Sequence, residues 1–313
     1  MRARSIATRA HHRSPIRRAA LTAVAGLGAL STGVLPAARA APTISAELLT
    51  TTKTSEWRSP SPDPTGLTLI RSTNRLIVSD AEVDEIPGLW KGGNLFTASR
   101  GGVLIRRGSV LRATPEPEDV AWHGGSRSLY VVDDDRDRVY RIRAGHDGRI
   151  GTSDDRSRVI LRTRSFGSRD PEGLAWRSRG RTLIVTDARR GRAFTVRAGR
   201  DRRFGTPDDV TNMFATPPLG LTIPEDVEFD PRSRHLFIVS SAEDVVAETT
   251  MRGRLIRTID LSAANVHRAA GIALTPSPTD PGVMHVFIVA KGTDNESDPM
   301  ENDGKLFQFS IPG

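Results

Sequence analysis

The stretch Asp170-Pro171-Glu172-Gly173-Leu174-Ala175-Trp176, followed by Arg181-Thr182-Leu183-Ile184-Val185-Thr186-Asp187, decides the fold. Two apolar runs separated by a short polar segment read as a pair of strands. The unit recurs. Glu116-Pro117-Glu118-Asp119-Val120-Ala121-Trp122 runs on to Leu129-Tyr130-Val131-Val132-Asp133, and Ile223-Pro224-Glu225-Asp226-Val227-Glu228-Phe229 to Leu236-Phe237-Ile238-Val239-Ser240. An earlier copy, Asp63-Pro64-Thr65-Gly66-Leu67-Thr68-Leu69, reaches Leu76-Ile77-Val78-Ser79-Asp80, and a last one, Ala270-Gly271-Ile272-Ala273-Leu274, meets Val286-Phe287-Ile288-Val289-Ala290. The anchors Gly66, Asp119, Gly173, Asp226 and Gly271 are 53, 54, 53 and 45 residues apart. The second run ends 14 positions after the anchor in four copies and 19 after it in the fifth. A period near fifty with several strands per unit is the mark of a propeller or a related repeat array.

Within the second unit the reading gives strands over residues 119–122, 128–133, 138–144 and 157–163, with Gly-, Ser- and Asp-rich turns between them. No long segment has helical periodicity, and residues 261–270 read as an irregular turn between blades. Five units cover residues 63–313, and the fifth has room for only three strands. The strand-like residues 44–57 belong to no unit, so they are expected to supply the missing strand and close the ring. The expectation is a single all-β propeller of five four-stranded blades, with six as the alternative.

Residues 1–40 read as a secretory signal peptide: a basic start, an apolar stretch from Ala19 to Leu35, and Ala38-Arg39-Ala40 as the cleavage site. The propeller domain is then residues 41–313. Arg17-Arg18 also fits a twin-arginine signal, but Ala-Ala-Leu follows rather than an aromatic-leucine pair, so general secretion is the preferred route. Seven of the 45 Lys and Arg residues lie in this leader and none of the 37 acids does, leaving 38 bases against 37 acids. A clustered basic surface for nucleic acid is therefore not expected. With no cysteine in the chain, an exported protein must rely on core packing, ring closure and bound ions. No membrane attachment is expected after cleavage, and a monomer is expected.

These Pro-Glu-Gly-Leu-Ala-Trp units resemble the inner strands of secreted propellers of the NHL, SdiA-regulated and phytase-like groups. The resemblance covers residue 63 to the C-terminus and is specific for architecture; the groups include lactonases, phosphatases and pure binding modules. Many such propellers have six blades, one more than the five units here. A lactonase of the gluconolactonase kind would place Glu, Asn and Asp around one channel metal, yet no Asn ends an inner strand. A phytase-like phosphatase would add bases at the mouth, for which Lys291, Arg136, Arg189 and Arg190 are available.

Strand direction locates the candidate site. The first strand of a blade starts on the face to which the second returns. Glu118, Glu172 and Glu225 at the first strands and Asp80, Asp133 and Asp187 at the ends of the second should therefore share the mouth of the channel. The loops after the second strands add Glu82, Asp134 and Asp135, and the 291–304 loop adds Asp294, Glu296, Asp298, Glu301 and Asp303. Such a ring suits calcium or a cationic ligand; the competing role is acids that bond turn amides and fix each blade. A small molecule, a polymer or a protein could be the partner there. A second candidate lies on the opposite face. Asp147, Asp154 and Asp155 recur 54 residues later as Asp201, Asp208 and Asp209, in Gly-rich loops that offer oxygen ligands to calcium or cap their own backbone. Neither a Gly-x-Ser-x-Gly elbow nor a His-Glu-x-x-His motif is present. The expected role is an extracellular binding or scaffolding module, calcium-stabilised; the alternative is a metal-dependent hydrolase, phosphoesterase or lactonase, at the channel mouth.

Overall fold

The computed structural model describes residues 40–86, 88–293 and 300–313. The leader, and with it the export reading, falls outside those residues, as do Asp294, Glu296 and Asp298. Among the described residues the strands form five sheets, antiparallel but for one added strand, arranged as the blades of a propeller. Two N-terminal strands come first, β1 (Thr43–Ser45) and β2 (Glu47–Lys53). Blade 1 holds β3 (Pro64–Ile70), β4 (Arg75–Asp80), β5 (Leu95–Ser99) and β6 (Leu104–Gly108). Blade 2 holds β7 (Asp119–His123), β8 (Ser128–Asp133), β9 (Arg138–Arg143) and β10 (Arg156–Arg162). Blade 3 holds β11 (Pro171–Arg177), β12 (Thr182–Asp187), β13 (Arg192–Arg197) and β14 (Val210–Ala215). Blade 4 holds β15 (Pro224–Phe229), β16 (Leu236–Ser240), β17 (Val245–Thr249) and β18 (Leu255–Asp260). Blade 5 holds β19 (Ala269–Pro276), β20 (Val283–Ala290) and β21 (Lys305–Pro312). No helix among these residues is long and apolar enough to cross a membrane.

The ring closes as the strand count requires. β2 pairs antiparallel with β21 and supplies the fourth strand of blade 5. The sequence reading took residues 44–57 as one segment, but the chain bends at buried Ala46. β1 adds parallel to β18 as a fifth strand on blade 4, and the Ala46 amide bonds the Asp260 carbonyl at 2.9 Å. One short segment thus ties two blades before the first blade begins.

The core is divided between neighbouring blades, because a strand with both faces covered splits its side chains with a period of two. On β8, Leu129 and Val131 pack towards blade 1, whereas Tyr130 and Val132 pack towards blade 3. On β20, Val286 and Ile288 pack towards blade 4, whereas Phe287 and Val289 face blade 1. That two-sided burial explains the unbroken apolar runs in every second strand.

Candidate functional site

The inner strands β3, β7, β11, β15 and β19 line the channel, and their anchor residues alternate Gly66, Asp119, Gly173, Asp226, Gly271. The alternation has a steric cause. A Cβ on Gly66 would lie 2.5 Å from Asp119 Oδ1 and from its Cα, and one on Gly173 would lie 2.5 Å from Asp226 Cα. The glycines leave room for two buried carboxylates that knit the ring. Asp119 accepts the Leu67 amide of blade 1 at 3.0 Å and the Leu174 amide of blade 3 at 2.6 Å. Asp226 accepts the Ile272 amide of blade 5 at 2.6 Å. Burial, and then the neighbouring Asp226, push the Asp119 carboxyl well above the usual range; burial raises Asp226 to about 6, against its bond with Asp119. The two therefore share a proton across the channel.

The two acidic rows separate in role. Asp80, Asp133 and Asp187 are fully buried. Asp80 accepts Ser61 Oγ at 2.6 Å and the amides of Asp63 and Glu82, both at 3.2 Å. Asp133 accepts the Arg136 amide at 2.8 Å and the Thr114 hydroxyl, and Asp187 accepts the amides of Arg190 and Arg169, both at 2.9 Å. Each thus closes the turn after the second strand and tethers the loop before the first. At the fourth copy Ser240 bonds the Ile223 amide with its hydroxyl at 3.3 Å.

The glutamates sit differently. Glu225 falls where the pairing of β15 slips between Pro224 and Asp226, and Glu172 falls in the matching slip of β11. A bulge lets an inner-strand side chain leave the sheet register and turn into the mouth. Glu118 is only 8% exposed. Lys291, at the end of β20, lies 3.9 Å from Glu118 and 3.5 Å from Glu82. Burial works to lower the Lys291 pKa, but Glu118, Glu225, Glu172 and Glu82 together drive it well above its usual value, so it carries an ammonium. Burial raises Glu118 to about 8 although Lys291 opposes the shift, and burial reinforced by Glu118 and Glu225 lifts Glu172 well above the usual range. Ser241 Oγ donates to Glu225 at 2.6 Å. Lys291 had entered the sequence reading as a basic accessory; here it is the hub of the glutamate row. Beside it, single ligand atoms of Asp134, Asp170 and Glu172 all lie within 4.8 Å of one another, a spacing that can hold a metal ion.

The paired loops bond most of their carboxylate oxygens to their own backbone, while Asp155 Oδ1 and Asp209 Oδ1 are buried without a partner. Asp154 Oδ2 accepts the amides of His146 at 2.5 Å and Asp147 at 3.2 Å, while Asp155 accepts Gly151 at 2.6 Å. Asp147 accepts the Arg149 amide at 2.8 Å. The second copy repeats this: Asp208 accepts Asp201 at 3.2 Å, Asp209 accepts Gly205 at 2.7 Å, and Asp201 accepts Arg203 at 2.8 Å. Trp176, read as inter-blade packing, stacks on His123 with centroids 4.5 Å apart and also borders a cavity of about 630 Å³ with Trp122 on the opposite face.

Fold and site define a five-bladed propeller with a buried acidic mouth around one lysine. The chain belongs to the SdiA-regulated family: the family profile matches residues 91–277, more than half of its length. No curated protein sequence matches the chain. Solved propellers resemble it in fold. Glutaminyl cyclase of Myxococcus xanthus is 14% identical, with a TM-score of 0.51 over 87% of this chain and 99% of that one. A regucalcin of Agrobacterium tumefaciens, described as a calcium-binding protein, is 13% identical, with a TM-score of 0.51 over 87% and 97%. A luciferin-regenerating enzyme is 11% identical, with a TM-score of 0.50 over 83% and 94%.

Proposed function

We propose that the protein is an exported binding propeller whose channel mouth takes a small cationic ligand. The observation that carries the reading is the convergence of Glu118, Glu172 and Glu225, from three different inner strands, with Glu82 on the single ammonium of Lys291. One cation cannot neutralise four carboxylates, and burial beside one another leaves Glu118 and Glu172 holding protons instead. A second cation entering the mouth replaces those protons and relieves the repulsion. The leader reading places this function outside the cytoplasm, acting as a monomer.

The test is calorimetric titration of the full chain with diamines, polyamines and quaternary ammonium compounds, in chelator, at pH 7. Binding is expected to release protons, read as a heat that changes with the buffer's ionisation enthalpy. Glu172→Gln is expected to weaken binding tenfold or more. No binding by any cationic probe, or binding untouched by Glu172→Gln, rejects the reading.

The Asp134, Asp170 and Glu172 spacing supports a second reading, a metal-dependent hydrolase of phosphoesters or lactones. In that case a metal supplies the Lewis acid and Glu118, protonated near neutral pH, is placed to donate to a leaving group. Hydrolysis of a generic phosphoester or lactone panel, lost in Glu172→Gln with the fold intact, would favour it; a blank panel with metal added would remove it.

A further inference from the structure

The seam where the last blade meets the first contains two buried carboxyl groups that accept no hydrogen bond, one of which, Glu301, faces the carboxyl of Asp303. Asp63, just before β3, is 0% exposed, and Glu301, just before β21, is 7% exposed. All four of their carboxyl oxygens are buried and accept no hydrogen bond. The surrounding backbone holds the two segments together. The Gly304 carbonyl accepts the amides of Thr54 at 2.9 Å and Ser55 at 3.3 Å, and Asn302 Nδ2 donates to the Ser55 carbonyl at 3.3 Å. Gly304 packs so closely that an added Cβ would lie 2.3 Å from the Pro62 carbonyl oxygen. Asp303 stands beside them, accepting the Thr293 amide at 3.2 Å.

Such an arrangement is unfavourable for either protonation state. Ionised, two unpaired carboxylates in a closed seam meet a desolvation cost far above that of ordinary surface acids. Protonated, Asp63 still has a donor and an acceptor that need partners, and only Glu301 has one within reach, in Asp303. The cations nearby do not resolve this. Lys291 contacts Glu82 and Glu118, and Arg268 acts on Asp63 from a distance that leaves both Asp63 oxygens unbonded.

We propose that a calcium ion binds in this seam, bridging Asp63 and Glu301 and so locking blade 5 to blade 1. The donors are oxygens only, which suits a hard cation and not zinc or copper. Calcium is favoured over magnesium because a closed seam leaves little space for the several waters that magnesium retains. The site adjoins the glutamate mouth, since Glu82 and Lys291 both act on Asp63, and it is separate from the paired loops. Its role is structural, because it joins the segment that follows the N-terminal strands to the segment that starts the last strand.

The experiment is thermal unfolding and calorimetric titration of the full chain, stripped with chelator and then given calcium or magnesium. Wild type is expected to bind one calcium at the seam and to gain roughly 5 °C or more at a hundredfold excess over Kd. Asp154→Asn with Asp208→Asn, and separately Glu172→Gln, should keep that gain. Asp63→Asn with Glu301→Gln should lose it while still unfolding cooperatively in chelator, since each substitution keeps the shape of the side chain. That second readout distinguishes lost binding from a failure to fold. The inference is overturned if wild type takes up no calcium or if the gain survives in Asp63→Asn/Glu301→Gln.

Discussion

Replacing Asp119 with alanine tests whether the channel carboxylates hold the ring together. In the native chain one side chain on blade 2 bonds the Leu67 amide of blade 1 and the Leu174 amide of blade 3, at 3.0 and 2.6 Å. Asp119→Ala leaves the Leu67 amide without a partner, whereas the Leu174 amide keeps Asp226 within reach. A buried unsatisfied donor costs about 1–3 kcal/mol. Part is returned, because Asp119 is buried and sits beside Asp226, with which it shares a proton. Removing one member leaves Asp226 free of that coupling. A net loss of about 1–2 kcal/mol is the outcome, a fall in Tm of roughly 5 °C for a chain of this size. Asp119→Asn should fall between alanine and wild type, since its amide accepts one N–H and turns its NH2 against the other. The assay is reversible thermal or urea unfolding in chelator, followed by circular dichroism. A fall of under ~2 °C for Asp119→Ala would refute the reasoning, because water would then be satisfying the Leu67 amide.

Three further outcomes follow from the same geometry. Gly173→Ala should lower Tm by several degrees, because its Cβ would meet the Asp226 Cα and Glu225 carbonyl oxygen at 2.5 Å, backbone atoms that cannot turn aside; unchanged unfolding would show that the inner strands can part. The ion-free protein should be more stable at pH 5 than at pH 8: Glu118 and Glu228 have folded pKa values raised from 4.5 to about 8, so their contribution is complete below about 4.5 and is lost as pH rises through 8. A Tm that rises across that window would contradict the assignment of both groups as neutral. Lys291→Met should weaken the fold at pH 8 more than at pH 5, since it strips the only cation contacting Glu82 and Glu118 among the described residues; an equal loss at both pH values, read by unfolding midpoints, would place the lysine outside the glutamate network.

The blade count and ring closure were legible because both follow from counting. An apolar run with period-two burial on both faces can only be a central strand, and a last unit one strand short must borrow it. β1 was not legible. Its pairing with β18 depends on a bend at Ala46 that no turn residue marks, and Thr43-Ile44-Ser45 is too short for a periodicity to show. At the site, the row of glutamates at the first strands and the row of aspartates at the second strands could be listed together but not told apart. What separates them is a bulge in the inner strand, which turns Glu172 and Glu225 into the mouth, and a turn amide, which claims Asp133 and Asp187. Asp119 and Asp226 carried a signal that was used only as a ruler: the anchors alternate between glycine and aspartate, and such alternation at a fixed period means that one residue fills the space its neighbour leaves. The burial of Asp63 and Glu301 without an accepted hydrogen bond had no signal in the sequence, because such an acid looks like any other acid until its surroundings are closed.

The near balance of 38 bases and 37 acids outside residues 1–40 conceals a separation along the channel axis. The glutamates stand where the inner strands begin. Where the same strands end, Arg71, Arg177, Arg179 and Arg234 surround the cavity of about 630 Å³ beside Trp122 and Trp176. Five to seven residues of strand lie between the two ends, roughly 15–20 Å. That exceeds the Debye length of about 8 Å at physiological ionic strength, so in solution the acidic mouth and the arginine-lined cavity are screened from each other. A cation approaching the acidic mouth feels the glutamates and not the arginines. Inside the protein the screening is weaker, and the shared proton of Asp119 and Asp226 lies between the two ends. A protein that needed only a stable ring would gain nothing by holding four glutamates around a lysine at the cost of raising the Glu118 and Glu172 pKa values. The retained charge makes sense if the mouth binds something positive, and that is the property on which the proposed function rests.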